Sequence, residues 1–284
     1  MEIRKVAVIG GGQMGRQIAL NAAVSGYDVK VTDSILAVRD AVKNWSEEYL
    51  AGRIAKGRMT EEQVADIKAR FAVVDSIQTA VSDADLVIEA VIEQAEVKQS
   101  VFREVSRFAP AGAIVTTNSS RMPSSSFASC VTDPTKLANM HYNNPALVMK
   151  AVEVQQNDKT SEDTVLSLLD FCRKNGKTPI RVRKEIEGLP VSRILHAINE
   201  EALYLVENGY CSIEDVDNAC TAGLNHPMGP FRLMDFTGLD LNLDIRQNEY
   251  DRTGVKPLGY DLFKSYVDQG RLGKKVKKGF YDYE

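Results

Sequence analysis

Arg4-Lys5-Val6-Ala7-Val8-Ile9 runs directly into Gly10-Gly11-Gly12-Gln13-Met14-Gly15, and a helical pattern extends from Met14 to Ser25 before a second β-branched run at Asp28 to Thr32. Strand, glycine loop, helix and strand in this order make a βαβ unit. The glycines hold the first, third and sixth positions of GxGxxG where a strand hands over to a helix. Gly10 permits the tight turn, Gly12 lets the main chain approach a pyrophosphate, and Gly15 lets helix and strand pack closely. Gln13 and Met14 complete the loop at the helix N-terminus, where unpaired amide donors and the positive end of the dipole favour an anion. Asp33 closes the second run, 23 residues after Gly10. A carboxylate there can accept both hydroxyls of an adenosine ribose and repels a 2′-phosphate, which favours NAD over NADP as cofactor. An ordinary tight turn with an acid ending a strand is the alternative; loop, helix, second strand and acid together favour the dinucleotide.

Further apolar runs follow at Leu86–Val91, Ala113–Thr117, Leu137–Met140, Val148–Val154 and Thr178–Val182, with a helix-like stretch at Glu96–Phe108. Strands spaced by helices predict an α/β, Rossmann-type, doubly wound and mostly parallel sheet. After Glu185 the pattern turns helical. Val191–Asn208, Ile213–Leu224, Met234–Tyr250 and Tyr260–Gln269 all carry helical spacing without a convincing strand. The sequence therefore predicts a dinucleotide-binding domain over residues 1–185 and an all-α domain over 186–284, divided where Gly188 and Pro190 break the helical pattern.

Composition narrows the function classes. The 284 residues are 44% apolar, enough for roughly two cored domains at about 150 residues each. Thirty-five Lys and Arg against 39 Asp and Glu leave a net charge of −4, so no global positive field is available for nucleic acid or an anionic membrane. The start of the chain goes into Glu2 and Arg4 rather than an apolar leader, and the expected setting is cytoplasmic. Cys130, Cys172, Cys211 and Cys220 show neither CxxC pairs nor zinc-site spacing, which argues against disulfides or a metal.

His141-Tyr142-Asn143-Asn144-Pro145 followed by ALVMKAVEV, with DLVIEAVIE at Asp85–Glu93, TNSS at Thr117–Ser120, HPMGPF at His226–Phe231, MDFTGLD after it and GFYDY from Gly279, resembles the L-3-hydroxyacyl-CoA dehydrogenase family across nearly the whole chain. The resemblance implies NAD-dependent oxidation of a (3S)-3-hydroxyacyl thioester, and it assigns residues. His141 becomes the base that exchanges the hydroxyl proton, a task suited to imidazole near neutral pH. Glu153, twelve residues on, fixes the ring; Ser120 bonds the substrate oxygen; Asn144 lies beside the nicotinamide and the reacting group. Glu93 and Lys98 contact the nicotinamide half of the cofactor, Lys275 is a basic family position, and Lys56, near Arg53 and Arg58, holds the CoA moiety. Each has a plainer reading: Glu153 as a strand residue or a differently paired core carboxylate, the lysines as solvated charges, and the cationic cluster as a solvated helix face. His226 reads as a turn residue and His196 as part of a helix face.

The chain departs from the family at three places. Tyr142 and Asn143 replace two phenylalanines and are expected to make the surface beside the base more polar. Ser192, before Arg193, replaces an asparagine that helps hold the substrate carbonyl, and a serine reaches less far. These changes bear on which acyl group is accepted, with a carrier-protein-linked group or a free hydroxy acid as alternatives to CoA. A non-catalytic NAD-binding structural protein is the reading of another class. The family also implies a homodimer through the helical domain, with which Leu224, Phe231, Leu233, Met234, Phe236, Leu239 and Leu241 are compatible; core packing is the alternative.

Overall fold

The computed structural model describes residues 2–284, and the chain divides into two compact units meeting at Leu189 and Pro190. In the first unit the elements run β1 (Lys5–Ile9), α1 (Gln13–Val24), β2 (Asp28–Thr32), α2 (Leu36–Ala55), α3 (Glu61–Ala69), β3 (Phe71–Val73), α4 (Ile77–Val81), β4 (Leu86–Glu89), α5 (Ala95–Phe108), β5 (Ile114–Thr117), β6 (Leu137–Tyr142), β7 (Ala151–Gln156), α6 (Glu162–Lys174) and β8 (Thr178–Val182). The eight strands form one sheet in the order β3-β2-β1-β4-β5-β6-β7-β8. Every neighbouring pair is parallel except β6 and β7. Strand order reverses beside β1, between β2 and β4, and such a switch point opens a crevice at the carboxyl ends of the strands.

Alternation along each strand feeds two cores, as a sheet covered on both faces requires. Val6, Val8, Val29, Val31, Leu86 and Ile88 pack against α1, α2 and α6. Ala7, Ile9, Val87 and Val115 pack against α4 and α5. β6 is buried along its whole length. Its Ala138, Met140 and Tyr142 enter the α1–α6 core while Leu137 enters the α5 core, so His141, in phase with Leu137, points to the α5 side.

The second unit holds α7 (Pro190–Glu207), α8 (Ile213–Asn218), α9 (Pro230–Thr237), α10 (Leu239–Thr253) and α11 (Tyr260–Val267), around Leu203, Phe231, Met234, Leu239, Phe263 and Phe280. Two buried carboxylates tie it together. Asp217 accepts from the amides of Phe231 and Arg232 and from the Tyr281 hydroxyl. Asp235 accepts from the amides of Phe280 and Tyr281 and from the Tyr283 hydroxyl. No helix among the described residues is long and apolar enough to cross a membrane.

Several sequence expectations are corrected in detail. The helix expected over Met234–Tyr250 is two helices, because Gly238 takes φ +101° between them. The Ile213–Leu224 helix is α-helical only to Asn218 and continues as a π-helical turn. The run expected from Val148 becomes strand only at Ala151, because Pro145 carries a turn in which its carbonyl accepts from the amides of Val148 and Met149.

Candidate functional site

The glycine loop is shaped by contacts no side chain could share. Gly10 has φ +108°, and a Cβ there would lie 2.5 Å from the Ala90 carbonyl oxygen. A Cβ on Gly15 would overlap the carbonyl of Gly10, whereas around Gly12 nothing lies within 4 Å. The loop is thus closed against β4 on one side and open on the other, as a main chain that receives a pyrophosphate must be. Asp33 stands beside it. One carboxylate oxygen accepts from Gly11 N at 2.8 Å and the other from Ile35 N at 3.0 Å, and each retains a further lone pair. Gly10, Gly12, Gln13, Met14, Asp33, Glu93, Lys98, Asn118, Ser120 and Arg121 all line one cavity of about 840 Å³. It lies along the carboxyl ends of β1, β4 and β5. These residues fit a dinucleotide.

A buried ionic cluster forms the cavity wall past β4. Lys98 Nζ lies 2.7 Å from a Glu89 oxygen and 3.1 Å from a Glu93 oxygen. Glu89 also accepts from the Thr117 hydroxyl, directly opposite it on β5, and from Val91 N. Lys98 is only 1% exposed, so it is a paired core cation rather than a solvated charge, and the pairing offsets its desolvation. Glu93 accepts from the Ser119 hydroxyl and from Arg121 N. Burial pushes the Glu93 carboxyl up, but Ser119, the Lys98 ammonium and the Arg121 amide together hold it below its ordinary value. Sequence reading did not single out Glu89; its only signal was an acid inside the apolar run LVIEAVI.

At the cavity's other end the Ser120 hydroxyl lies 3.1 Å from His141 Nε2. His141 Nδ1 lies 3.0 Å from a Glu153 oxygen, the ring side chain 9% exposed and the carboxyl fully buried. His141 and Glu153 are register partners of the antiparallel β6–β7 pair, and cross-strand partners stand side by side on one face of a sheet. An ionised carboxylate only accepts, and one in this place would favour the ring proton on Nδ1 and an Nε2 lone pair toward Ser120. Asn144 follows in the turn after β6, where its side-chain oxygen accepts from Gln13 Nε2 at 3.4 Å.

Tyr142 corrects the expectation of a more polar surface beside the base. It is 2% exposed in the α1–α6 core, on the sheet face opposite His141. Its hydroxyl accepts from Asn175 Nδ2 at 3.1 Å, and Asn175 in turn accepts from Asn21 of α1. Burial raises the Tyr142 hydroxyl well above its usual range. Asn143 donates to the Ala151 carbonyl and so ties the two ends of the turn.

The remaining expected residues have contacts of their own. Lys56 is exposed and caps the C-terminus of α2; Arg53, Lys56 and Arg58 form no ion pair among the described residues, and the Arg53 Nε is buried without a partner. Ser192 lies in the first turn of α7. Lys275 is ion-paired with Asp240 within the helical unit. His196 is exposed on α7 near Glu200, and the amide of His226 donates to the Cys220 carbonyl.

Comparison with known proteins agrees with this geometry. Residues 5–186 match the family described as 3-hydroxyacyl-CoA dehydrogenase, NAD binding domain, and residues 188–283 match its C-terminal domain. A probable 3-hydroxybutyryl-CoA dehydrogenase of Bacillus subtilis is 36% identical over 285 residues, covering 100% of this chain and 99% of that protein. The crystal structure of (S)-3-hydroxybutyryl-CoA dehydrogenase from Ralstonia eutropha superposes with a TM-score of 0.84 at 30% identity, covering 100% of both chains. A diketoreductase described as acting on dicarbonyl compounds gives a TM-score of 0.87 at 29% identity, again covering 100% of both. With both of its units matched and the glycine loop shaped for a dinucleotide, the chain belongs to the 3-hydroxyacyl-CoA dehydrogenase family of NAD-dependent oxidoreductases.

Proposed function

We propose that this protein oxidises the 3-hydroxyl of a (3S)-3-hydroxyacyl thioester, carried on CoA, to the ketone, and runs the reverse reduction through the same groups. The observation that carries the reading is the hydrogen-bonded row Ser120–His141–Glu153, whose serine lines the same cavity as the glycine loop and Asp33. NAD, when bound, supplies the hydride acceptor. Gly10, Gly12, Gln13, Met14 and Gly15 would cradle its pyrophosphate, Asp33 its adenosine ribose, and Glu93 and Lys98 its nicotinamide half. Ser120 hydrogen-bonds the substrate oxygen, His141 Nε2 takes the hydroxyl proton, and Glu153 holds the ring in the accepting tautomer and stabilises the imidazolium. Asn144, held by Gln13, orients the reacting oxygen.

By resemblance to the family, the reading extends to Lys56 for the CoA moiety, Ser192 for the substrate carbonyl and Lys275 for the cofactor. Arg53, Lys56 and Arg58 give a local cationic site in a chain of net charge −4, enough to meet phosphates one at a time. Pairing of two copies through the helical unit belongs to the same proposal. Ile194, Leu241 and Ile245 are 61%, 51% and 54% exposed there, and apolar surface of this kind is what a homodimer covers. A free hydroxy acid or dicarbonyl compound is the second reading, favoured by the likeness to the diketoreductase. The deciding experiment follows NADH consumption with acetoacetyl-CoA and with acetoacetate. Turnover of the thioester, lost in a folded His141→Ala variant that still binds NADH, is expected. Turnover of the free acid alone selects the second reading, and full activity of His141→Ala removes the proposed base.

A further inference from the structure

We propose that Lys177 is a positioning residue of the active site, its ammonium clamping the β6–β7 turn that carries Asn144 away from His141. The proposal rests on the assignment of His141 and Asn144 above. Lys177 lies between α6 and β8 and is 7% exposed. Its Nζ donates to the Ala146 carbonyl and, at 3.0 Å, to the Met149 carbonyl. No carboxylate among the described residues pairs with it. A buried ammonium satisfied by peptide oxygens alone carries a desolvation cost that no opposite charge offsets. An apolar side chain of similar length would fill the same volume without that cost, so what the charge adds is a hold on those two carbonyls.

The turn needs such a hold. Asn144, Pro145, Val148 and Met149 are exposed, and only Ala146 of this segment is buried. Between Asn144 and Met149 the other ties to neighbouring elements are longer, Gln13 to Asn144 at 3.4 Å and the Leu147 amide to Gln17 at 3.3 Å, both from α1; only past that stretch does the Thr178 amide of β8 reach the Lys150 carbonyl at 2.8 Å. Because α1 also begins at the glycine loop, the turn is suspended between the cofactor helix and Lys177.

The clamp is sensitive to pH. Burial, and then the ammonium of Lys150, bring Lys177 down to about 8. Lys150 reaches Gly176 O from the start of β7. From α6 the facing group is the Cys172 thiol, which burial pushes up to about 12. The neighbouring β6 side chain, Tyr142, is likewise held neutral by burial. Across neutral and mildly alkaline pH the group that changes charge there is therefore Lys177. It is fully charged below its folded value and loses its charge-assisted bonds as pH rises past it.

The test compares the full-length protein with Lys177→Met and Lys177→Arg, using oxidation of (3S)-3-hydroxybutyryl-CoA by NAD, the direction in which the imidazole acts unprotonated and adds no alkaline limb, together with NADH binding, thermal melting and hydrogen exchange of the 143–150 segment without ligands. In Lys177→Met, kcat is expected to fall by about 10- to 100-fold, NADH affinity and melting temperature to change little, and the segment to exchange faster. Lys177→Arg restores part of kcat and moves the alkaline limb of the kcat profile upward. The clamp is refuted if Lys177→Met exchanges as the wild type and keeps kcat within about threefold, or if the alkaline limb stays in place in Lys177→Arg. Should Lys177→Met not fold, Lys177→Arg and the pH profile decide alone. An Asn144→Ala variant with full turnover would overturn the site assignment instead, and hydrogen exchange would still decide whether Lys177 holds the turn.

Discussion

Replacing Glu153 by Gln isolates the charge behind the proposed base from the space it fills. The carboxyl is fully buried and lies 3.0 Å from His141 Nδ1, so the amide occupies the same place with the same shape. A hydrogen bond to a charged partner contributes about 1.5 to 3 kcal/mol, and at about 1.4 kcal/mol per factor of ten its loss as the imidazolium forms lowers kcat by roughly 10- to 150-fold. A second effect adds to the first. The Gln amide can donate to Nδ1, which places the ring proton on Nε2, where it cannot accept from an alcohol. In the serine-protease triad the corresponding carboxylate-to-amide change costs about 10⁴-fold, and that sets the upper end. Glu153 does not line the cavity that holds the glycine loop, so NADH affinity should stay at the wild-type value. Steady-state turnover read by NADH absorbance, with NADH binding followed by fluorescence, separates these outcomes. A folded Glu153→Gln protein that binds NADH normally and keeps kcat within about threefold would refute the dyad.

Two glycine substitutions should part fold from binding. Gly15→Ala drives a Cβ into the Gly10 carbonyl and should lower stability by about 1 to 3 kcal/mol; Gly12→Ala meets open space and should keep its melting temperature while losing NADH affinity. Tyr142→Phe leaves Asn175 Nδ2 short of an acceptor inside the core and should cost about 1 to 2 kcal/mol in urea unfolding. Because that hydroxyl lies on the far face of the sheet, kcat should not change; a large fall in kcat would place it back beside the base.

The first βαβ unit was legible because it is local. Strand, loop, helix and acid lie within one stretch, and Gly15 answers to the Gly10 carbonyl inside it. β3 was missed because Phe71–Val73 offers three residues, too few for alternation to declare itself. The break at Gly238 was missed because the apolar spacing of α9 continues into α10 and masks the turn. Tyr142 was misread for a different reason: adjacency in sequence suggested adjacency to the base, while on a strand neighbouring side chains point to opposite faces. Glu89, Asp217 and Asp235 were invisible as a class. A buried carboxylate is defined largely by donors that arrive from other segments, Thr117 for the first and the Phe280, Tyr281 and Tyr283 tail for the last, and a short window of sequence does not contain them.

The His141–Glu153 pair shows how spacing becomes chemistry only through register. Twelve residues separate them, but that distance places two side chains on one face only if the chain reverses and β7 runs antiparallel to β6 with His141 opposite Glu153 and Tyr142 opposite Val152. A slip of one residue would turn Glu153 into the α1–α6 core and bring Val152 or Val154 to the face behind the imidazole. The reversing segment therefore fixes the imidazole as much as the strands do. It is the segment that Asn143 ties across its ends, that Gln13 and Gln17 hold from the cofactor helix, and whose carbonyls Lys177 gathers. The register that sets Glu153 behind the imidazole and the turn that carries Asn144 are thus one structural decision, and a perturbation of the turn should be felt at the imidazole before it is felt in the sheet.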